Sequence, residues 1–220
     1  MSEALPKLAI VGGTGDLGGG LARRWAQAGY TVIIGSRTQE KADRAAADVL
    51  AEVGGDVLGM ENVAAAEAAD LVVLTVPWAS QRPNLEAIRE GLAGKILVDA
   101  TVPLVPPKVS KVQLPAEGSA ALAAKSIVGD EVTVVSAFQN VGAAHLREDH
   151  AIETDVLVSG EGPEAREVVI ALVEAAGMKG WHAGPLANSA AAEAFTSVLI
   201  GINRKYKIEG AGLRITGEPS

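Results

Sequence analysis

The sequence predicts an α/β fold built on a doubly wound, mostly parallel sheet. Short apolar runs with the length of buried strands alternate with alanine-rich segments of helical periodicity, and most of these runs are apolar on both faces. Because parallel strands need crossover connections, usually helices, this alternation is typical of a sheet covered on both sides. We expect strands at 8–11, 31–34, 57–59, 71–76, 95–99, 132–137, 155–159 and near 179–183.

Two helices are bounded by the residues at their ends. The first follows the first strand and ends at Gly29, where glycine favours a left-handed stop. A later helix begins at Pro163, which fits a first helical turn, and ends before Gly177. The apolar residues expected on their inner faces are Leu17, Leu21, Ala22, Trp25 and Ala28 in the first, and Val168, Val169, Leu172, Val173 and Ala176 in the second.

A proline-rich segment interrupts the chain after the fifth strand. Pro103, Pro106, Pro107 and Pro115 are too closely spaced for a helix to persist. We predict an extended excursion, which either lines a ligand crevice at the carboxyl ends of the strands or serves as a linker.

The pattern changes again near residue 188. An apolar stripe at helical spacing runs into a basic segment, and exposing such a stripe on a monomer would be costly. We therefore expect it to be buried against the body or against a second copy, and we divide the chain into 1–186 and a small C-terminal helical unit, 187–220. The stripe consists of Phe195, Val198, Leu199, Ile202 and Tyr206.

Composition excludes several classes of function. The 220 residues contain 19 basic and 27 acidic side chains, a net charge of −8, and no cysteine. Disulfides, thiolate nucleophiles and cysteine-ligated metals are excluded, and general nucleic-acid binding is disfavoured. No segment has the length of a membrane span, and the start of the chain is not typical of a targeting signal, so we expect a cytoplasmic protein. His145, His150 and His182 lack metal-ligand spacing, and we predict no bound metal.

A glycine-rich loop lies between the first strand and its helix. Gly13, Gly15 and Gly18 satisfy G-x-G-x-x-G in the context that gives the pattern physical meaning. The glycines permit a tight turn, a close approach by a pyrophosphate, and close packing of helix on strand, and the helix N-terminus offers free N–H groups. The loop predicts a dinucleotide site in a Rossmann-type domain.

The end of the second strand indicates which dinucleotide binds. Enzymes that use NAD usually have a carboxylate here, whereas this chain has Ser36 and Arg37, followed one helical turn later by Lys41. A guanidinium fork and a hydroxyl suit a 2′-phosphate. We therefore predict NADP(H) rather than NAD(H).

The fourth strand ends in Thr75, Val76, Pro77 and Trp78. This edge of the sheet is where the nicotinamide half of a dinucleotide would lie. Trp78 is expected either to form a flat apolar wall there or to belong to the core.

Taken together, these features resemble the F420H2:NADP oxidoreductases, also called NADPH-dependent F420 reductases. The resemblance covers almost the whole chain and includes a late run from Ala183 to Ser189. It implies hydride transfer between NADP(H) and a deazaflavin by alignment of two rings, with no catalytic acid or base. The site residues it implies are Thr14, Gly15, Asp16 and Leu17 at the pyrophosphate, Ser36, Arg37 and Lys41 at the 2′-phosphate, and Ala137, Gln139, Asn140 and Leu213 on the deazaflavin side.

The chain departs from the family pattern at two of these positions, where Gln139 and Gly142 replace an expected His and Pro. A flavin therefore stays open as the second ligand, as do a metal-chelate reductase and a non-catalytic NADP(H) sensor. A short-chain dehydrogenase is disfavoured because neither Tyr30 nor Tyr206 has a lysine four residues later. The resemblance also implies a homodimer. The basic residues Arg204, Lys205, Lys207 and Arg214 are expected either to bind an anionic ligand tail or to be solvated.

Overall fold

A computed structural model describes residues 5–217 and contains one eight-stranded sheet. Its order is β3-β2-β1-β4-β5-β6-β7-β8. The strands are β1 (Leu8–Val11), β2 (Thr31–Ser36), β3 (Asp56–Glu61), β4 (Leu71–Leu74), β5 (Ile96–Asp99), β6 (Thr133–Ser136), β7 (Asp155–Gly160) and β8 (Lys179–His182).

Seven α-helices cover the two faces of this sheet. One face packs against α1 (Asp16–Gln27), α2 (Gln39–Val53) and α6 (Pro163–Ala175). The other face packs against α3 (Asn62–Ala68), α4 (Trp78–Ile88) and α5 (Ala120–Val128), and α7 (Ser189–Tyr206) lies against α5 and β7. The predicted fold class, a Rossmann-type doubly wound sheet, is confirmed.

The strand β7 is the exception to parallel pairing. It runs antiparallel to β6, with Ser136 opposite Ser159, while β8 is parallel to β7. Since β7 runs backwards, its first residue, Asp155, lies beyond the carboxyl end of β6. The start of β7 therefore faces the same edge of the sheet as the ends of β1 to β6.

All eight predicted strands are present, and most ends agree within two residues. The strand β4 stops at Leu74 rather than at Val76. The Thr75 N–H makes the last bond to β1, at the Val11 carbonyl, and the Thr75 hydroxyl donates to the same oxygen. Gly29 and Gly177 have φ of 89° and 85°, as expected of left-handed stops.

Two residues predicted on the inner faces of helices are exposed. Ala28 is exposed because α1 ends at Gln27 and Ala28 is its C-cap. Val168 is 39% exposed, because α6 buries a face formed by Ala165, Val169, Leu172 and Val173 and Val168 lies beside it. The proline-rich stretch between β5 and α5 contains no helix, as predicted.

The apolar stripe of α7 packs on the body of the chain only in part, and Ile202 is half-buried. Phe195, Val198 and Tyr206 are 40%, 43% and 69% exposed, and only Leu199 of the stripe is fully buried. The face that α7 buries is mostly small and polar, with Ser189, Ala192, Glu193 and Ser197 beside Leu199, and Glu193 is bonded to the start of α5. Of the two alternatives expected for the stripe, burial against the body holds only in part, and burial against a second copy stays a prediction, as does the division at residue 187. Within 5–217, no helix combines the length and apolarity needed to cross a bilayer.

Candidate functional site

An open cleft of about 260 Å³ lies at the carboxyl edge of the sheet. The loops after β1, β2 and β4 form its walls, which is where an open α/β sheet binds ligands. Its lining residues are Gly12, Thr14, Gly15, Ser36, Arg37, Asn62, Thr75, Val76, Pro77, Ser80 and Asn84.

The glycine loop forms one wall of this cleft. Gly12 has φ 80°, and a Cβ on Gly13 would lie 2.8 Å from the Ile10 carbonyl oxygen, so both positions require glycine. A Cβ on Gly18 would lie 2.6 Å from the Thr75 hydroxyl, which shows how closely α1 approaches the β4 exit. At Gly15, by contrast, the nearest atom would be 3.5 Å away, and the backbone lies open to the cleft.

Gly15 also starts the first helix. The first N–H groups of α1, from Asp16 and Leu17 onward, have no partner within the helix and are available to an anion. The Asp16 carboxylate points to Arg147, at 3.7 Å, and Leu17 packs partly against the core. Gly15, Asp16 and Leu17 therefore offer backbone rather than side-chain contacts, while Thr14 lines the cleft.

The end of β2 supplies the charge of the cleft. Ser36 is 5% exposed, while Arg37 is exposed at the cleft wall. Among the described residues that line the cleft, none is a carboxylate, so Arg37 gives it a positive potential. Lys41 is exposed on the first turn of α2 and lies outside the lining.

The four residues after β4 line two different depressions of the surface. Thr75, Val76 and Pro77 line the cleft, as placed by the sequence. Trp78 begins α4 and instead lines a separate depression of about 100 Å³, with Arg82, Ala123 and Ile127.

Sequence reasoning missed three polar residues of the cleft. Asn62 begins α3, and Ser80 and Asn84 lie one turn apart on α4. The Asn62 amide donates to Asn84 Oδ1 at 3.0 Å, and the Asn84 amide donates to the Ser80 carbonyl at 2.7 Å. No motif marks them, because only the sheet order brings α3 and α4 together beside β2.

The exit of β6 is closed, in contrast to the cleft. Ala137, Gln139 and Asn140 are 0%, 6% and 7% exposed. Gln139 donates to the Asp99 carbonyl at 2.8 Å and to the Ser136 hydroxyl at 2.9 Å, which ties β6 to β5. Asn140 donates to the Ala192 carbonyl at 2.8 Å, which ties the same segment to α7.

Two buried carboxyl groups lie in this closed region. Glu193 accepts hydrogen bonds from the N–H groups of Ala120 and Ala121, at 2.5 and 3.1 Å, at the start of α5. Burial raises the pKa of Glu193 to about 7, and the nearby Asp99 raises it further, while the two N–H donors oppose the shift. Burial also raises the pKa of Asp99 to about 6, against hydrogen bonds from Thr101 and Gln81.

The C-terminal tail reaches the same edge of the sheet. The Leu213 carbonyl accepts from the Asp155 N–H at 2.8 Å, and the Ile215 N–H donates to the Asp155 carboxylate at 2.7 Å. A Cβ on Gly142 would lie 2.7 Å from Gly210 Cα, so glycine at 142 allows the tail to cross. The four basic residues of this segment are exposed, and Arg214 lies 3.5 Å from Glu153.

A candidate metal site was also sought among residues 5–217. Groups of His, Asp or Glu able to hold a metal ion are absent from the part of the chain that the structure describes. The arrangement is suited to binding a phosphorylated dinucleotide at an open edge.

Comparison with known proteins identifies close relatives. Residues 7–103 match the family model described as NADP oxidoreductase coenzyme F420-dependent. The chain is similar to the F420-dependent NADP reductase of Methanocaldococcus jannaschii, with 41% identity over 96% of this chain and 98% of the relative. It is equally similar, at 41% over 97% and 96%, to the enzyme of that name from Methanothermobacter thermautotrophicus.

A solved structure extends the similarity to the fold. A candidate F420-dependent NADP reductase from Arthrobacter sp. FB24 superposes with a TM-score of 0.80 at 27% identity, covering 96% of this chain and all of the other.

Proposed function

This chain belongs to the F420-dependent NADP reductase family, and on that premise we propose that it transfers a hydride between NADP(H) and coenzyme F420. The observation with most weight is the 41% identity over nearly the full length of the archaeal reductases. In the balanced reaction NADPH, F420 and a proton give NADP⁺ and reduced F420. The resemblance found in the sequence is thereby confirmed at the level of the family.

The open cleft fits NADP(H). The free N–H groups at the start of α1 bind the pyrophosphate across the open backbone at Gly15. Ser36 and Arg37 bind the 2′-phosphate, and Lys41 adds a charge at longer range. Thr75 to Pro77 then guide the nicotinamide half along the edge toward β5.

The second ligand is expected farther along the same edge. The sheet order places the exit of β6 and the Leu213 segment there, beyond the cleft. When bound, the two cofactors supply the chemistry, a hydride passing between nicotinamide C4 and deazaflavin C5. The chain contributes alignment, since the Gln139 amide nitrogen holds β5 and β6 together and the carboxyls of Asp99 and Glu193 are buried. The Gln139 Oε1 atom is buried without a hydrogen-bond partner among the described residues.

Stopped-flow absorbance tests the proposal directly. Purified protein and NADPH are mixed with F420 in one experiment and with FMN in another. We expect rapid bleaching of F420 and slow or no reduction of FMN. Tight NADPH binding without transfer to F420 would contradict the proposal and favour a flavin or metal-chelate reductase or an NADP(H) sensor.

We also propose that the exposed stripe of α7 is a homodimer interface. Phe195, Val198 and Tyr206 are exposed apolar residues of α7. The proline-rich excursion approaches this helix at Ser110, 3.9 Å from where a Cβ on Gly201 would lie, and it exposes Val112 and Leu114. Val198→Glu should give monomers by size exclusion with light scattering. The matched control is Val168→Glu, at a valine of similar exposure on α6. A wild-type monomer would exclude the interface.

The cytoplasmic localisation expected from the sequence stays a prediction.

A further inference from the structure

The NADP cleft has a polar wall that phosphate binding does not explain. Asn62, Ser80 and Asn84 line it, and none of them lies on the glycine loop or at the end of β2. The adenosine ribose joins the 2′-phosphate, the pyrophosphate and the adenine base. With the 2′-phosphate at Arg37 and the pyrophosphate at Gly15, the lining that remains for the base consists of these three polar residues and the segment from Thr75 to Pro77.

The hydrogen bonds within this wall fix the orientation of one amide. The Asn62 Nδ2 donates to Asn84 Oδ1, and the Asn84 Nδ2 donates to the Ser80 carbonyl, so exchanging the Asn84 oxygen and nitrogen would break both bonds. The Asn84 amide keeps one N–H and one lone pair of Oδ1 for a ligand. Asn62 is itself seated against β2, since a Cβ on Gly35 would lie 2.8 Å from its Oδ1.

We propose that Asn84, oriented by Asn62, selects adenine over 6-oxopurines in the bound dinucleotide. An asparagine amide can accept from the adenine N6 amino group while donating to a ring nitrogen, a pairing used to read adenine in other settings. A 6-oxopurine presents an oxygen where adenine presents N6–H, and it would face Asn84 Oδ1 with two acceptors opposed. The inference rests on the proposed NADP site and adds base selectivity to it.

Isothermal titration with two ligands tests this selectivity without turnover. One ligand is NADPH and the other is its hypoxanthine analogue, which differs only in the base. We expect the wild type to bind NADPH about tenfold to a hundredfold more tightly. Asn84→Ala should bring the ratio of the two dissociation constants close to one, and Asn62→Ala, at a positioning residue, should lower it in part.

Arg37→Ala is the matched control, because it should weaken both ligands equally and leave their ratio unchanged. Only folded protein binds, so partial unfolding of a variant cannot mimic a changed ratio. A wild-type ratio within twofold of one, or equal weakening of both ligands by Asn84→Ala, would overturn the inference. If NADPH itself failed to bind, or Arg37→Ala had no effect, the proposed NADP site would fail instead.

Discussion

The loops after β1, β2 and β4 surround an open cleft, whereas the ends of β5 and β6, at the same edge of the same sheet, are sealed beneath α7. The open half uses glycine backbone, one exposed arginine and half-buried amides. The sealed half contains a buried network of Gln139, Asn140, Asp99 and Glu193. The difference separates two roles, since groups that bind ligands keep unused hydrogen-bonding capacity and most groups of the sealed half use theirs within the protein. Among the described residues the Gln139 Oε1 atom is an exception, because it is buried without a hydrogen-bond partner.

The largest effect should come from the spacing of the glycine loop, which keeps the cleft open. Gly18→Ala places a Cβ 2.6 Å from the Thr75 hydroxyl and 2.8 Å from Gly13 Cα. We expect it to cost about 1–3 kcal/mol of unfolding free energy and to weaken NADPH binding. Gly19→Ala is the control in the same helix, because its Cβ meets nothing closer than 3.5 Å. Gly19→Ala should raise the free energy of unfolding by roughly 0.5–1 kcal/mol. Urea denaturation measures both variants, and equal stabilities of Gly18→Ala and Gly19→Ala would contradict this account.

The buried carboxyl groups of the sealed half should make the free energy of unfolding depend on pH. The pKa of Glu193 is raised from 4.5 to about 7, so the folded state binds its proton more tightly than the unfolded state does. The resulting stabilisation, about 3 kcal/mol at most, is complete below pH 4.5 and is lost as the pH rises through 7. Asp99 acts in the same direction over a window ending near pH 6.

Urea denaturation from pH 5 to pH 8 measures this effect. Wild-type stability should fall across the range, and Glu193→Gln should flatten the fall. Glu90→Gln, at an exposed position, controls for the change in net charge. Identical slopes for the wild type and Glu193→Gln would show that Glu193 does not bind its proton differently on folding.

The preference for NADPH over NADH is the next test of the open half. Arg37→Ala should lose about 1.5–3 kcal/mol of NADPH binding, roughly tenfold to a hundredfold, with little change for NADH. The physical reason is that only NADPH has the 2′-phosphate. Titration of both ligands into both proteins measures it, and equal losses would refute the assignment of Arg37.

The smallest effect should come from the link between β6 and α7. The Thr196 hydroxyl donates to the Gln139 carbonyl at 2.8 Å and accepts from Asn140 at 3.0 Å. Thr196→Val should cost about 1 kcal/mol of stability without changing NADPH affinity. Thr31→Val, which removes an exposed bond to Asp56, should cost less. A loss of NADPH affinity in Thr196→Val would show that the two halves are coupled.

The sequence predicted the open half better than the sealed half. Strands, the glycine loop and Arg37 follow from local patterns, because each lies within one strand–loop–helix unit. Asn62 and Asn84 were missed because two separate helices bring them together. For α7 the sequence left two alternatives open, burial of the Phe195 stripe against the body or against a second copy. Hydrophobic periodicity could not decide between them, because the contact of α7 with the body includes the bonds of Glu193 to α5, which no local pattern marks.

The reversal of β7 also determines how the protein can be attached to a solid support. Residues just before Leu8 lie at the amino edge of the sheet, opposite the cleft, while the tail near Ile215 runs along the ligand edge beside Asp155. A tether on the residue-5 side directs the cleft toward the bulk solution. A tether on the residue-217 side crowds the entrance that the ligands must use.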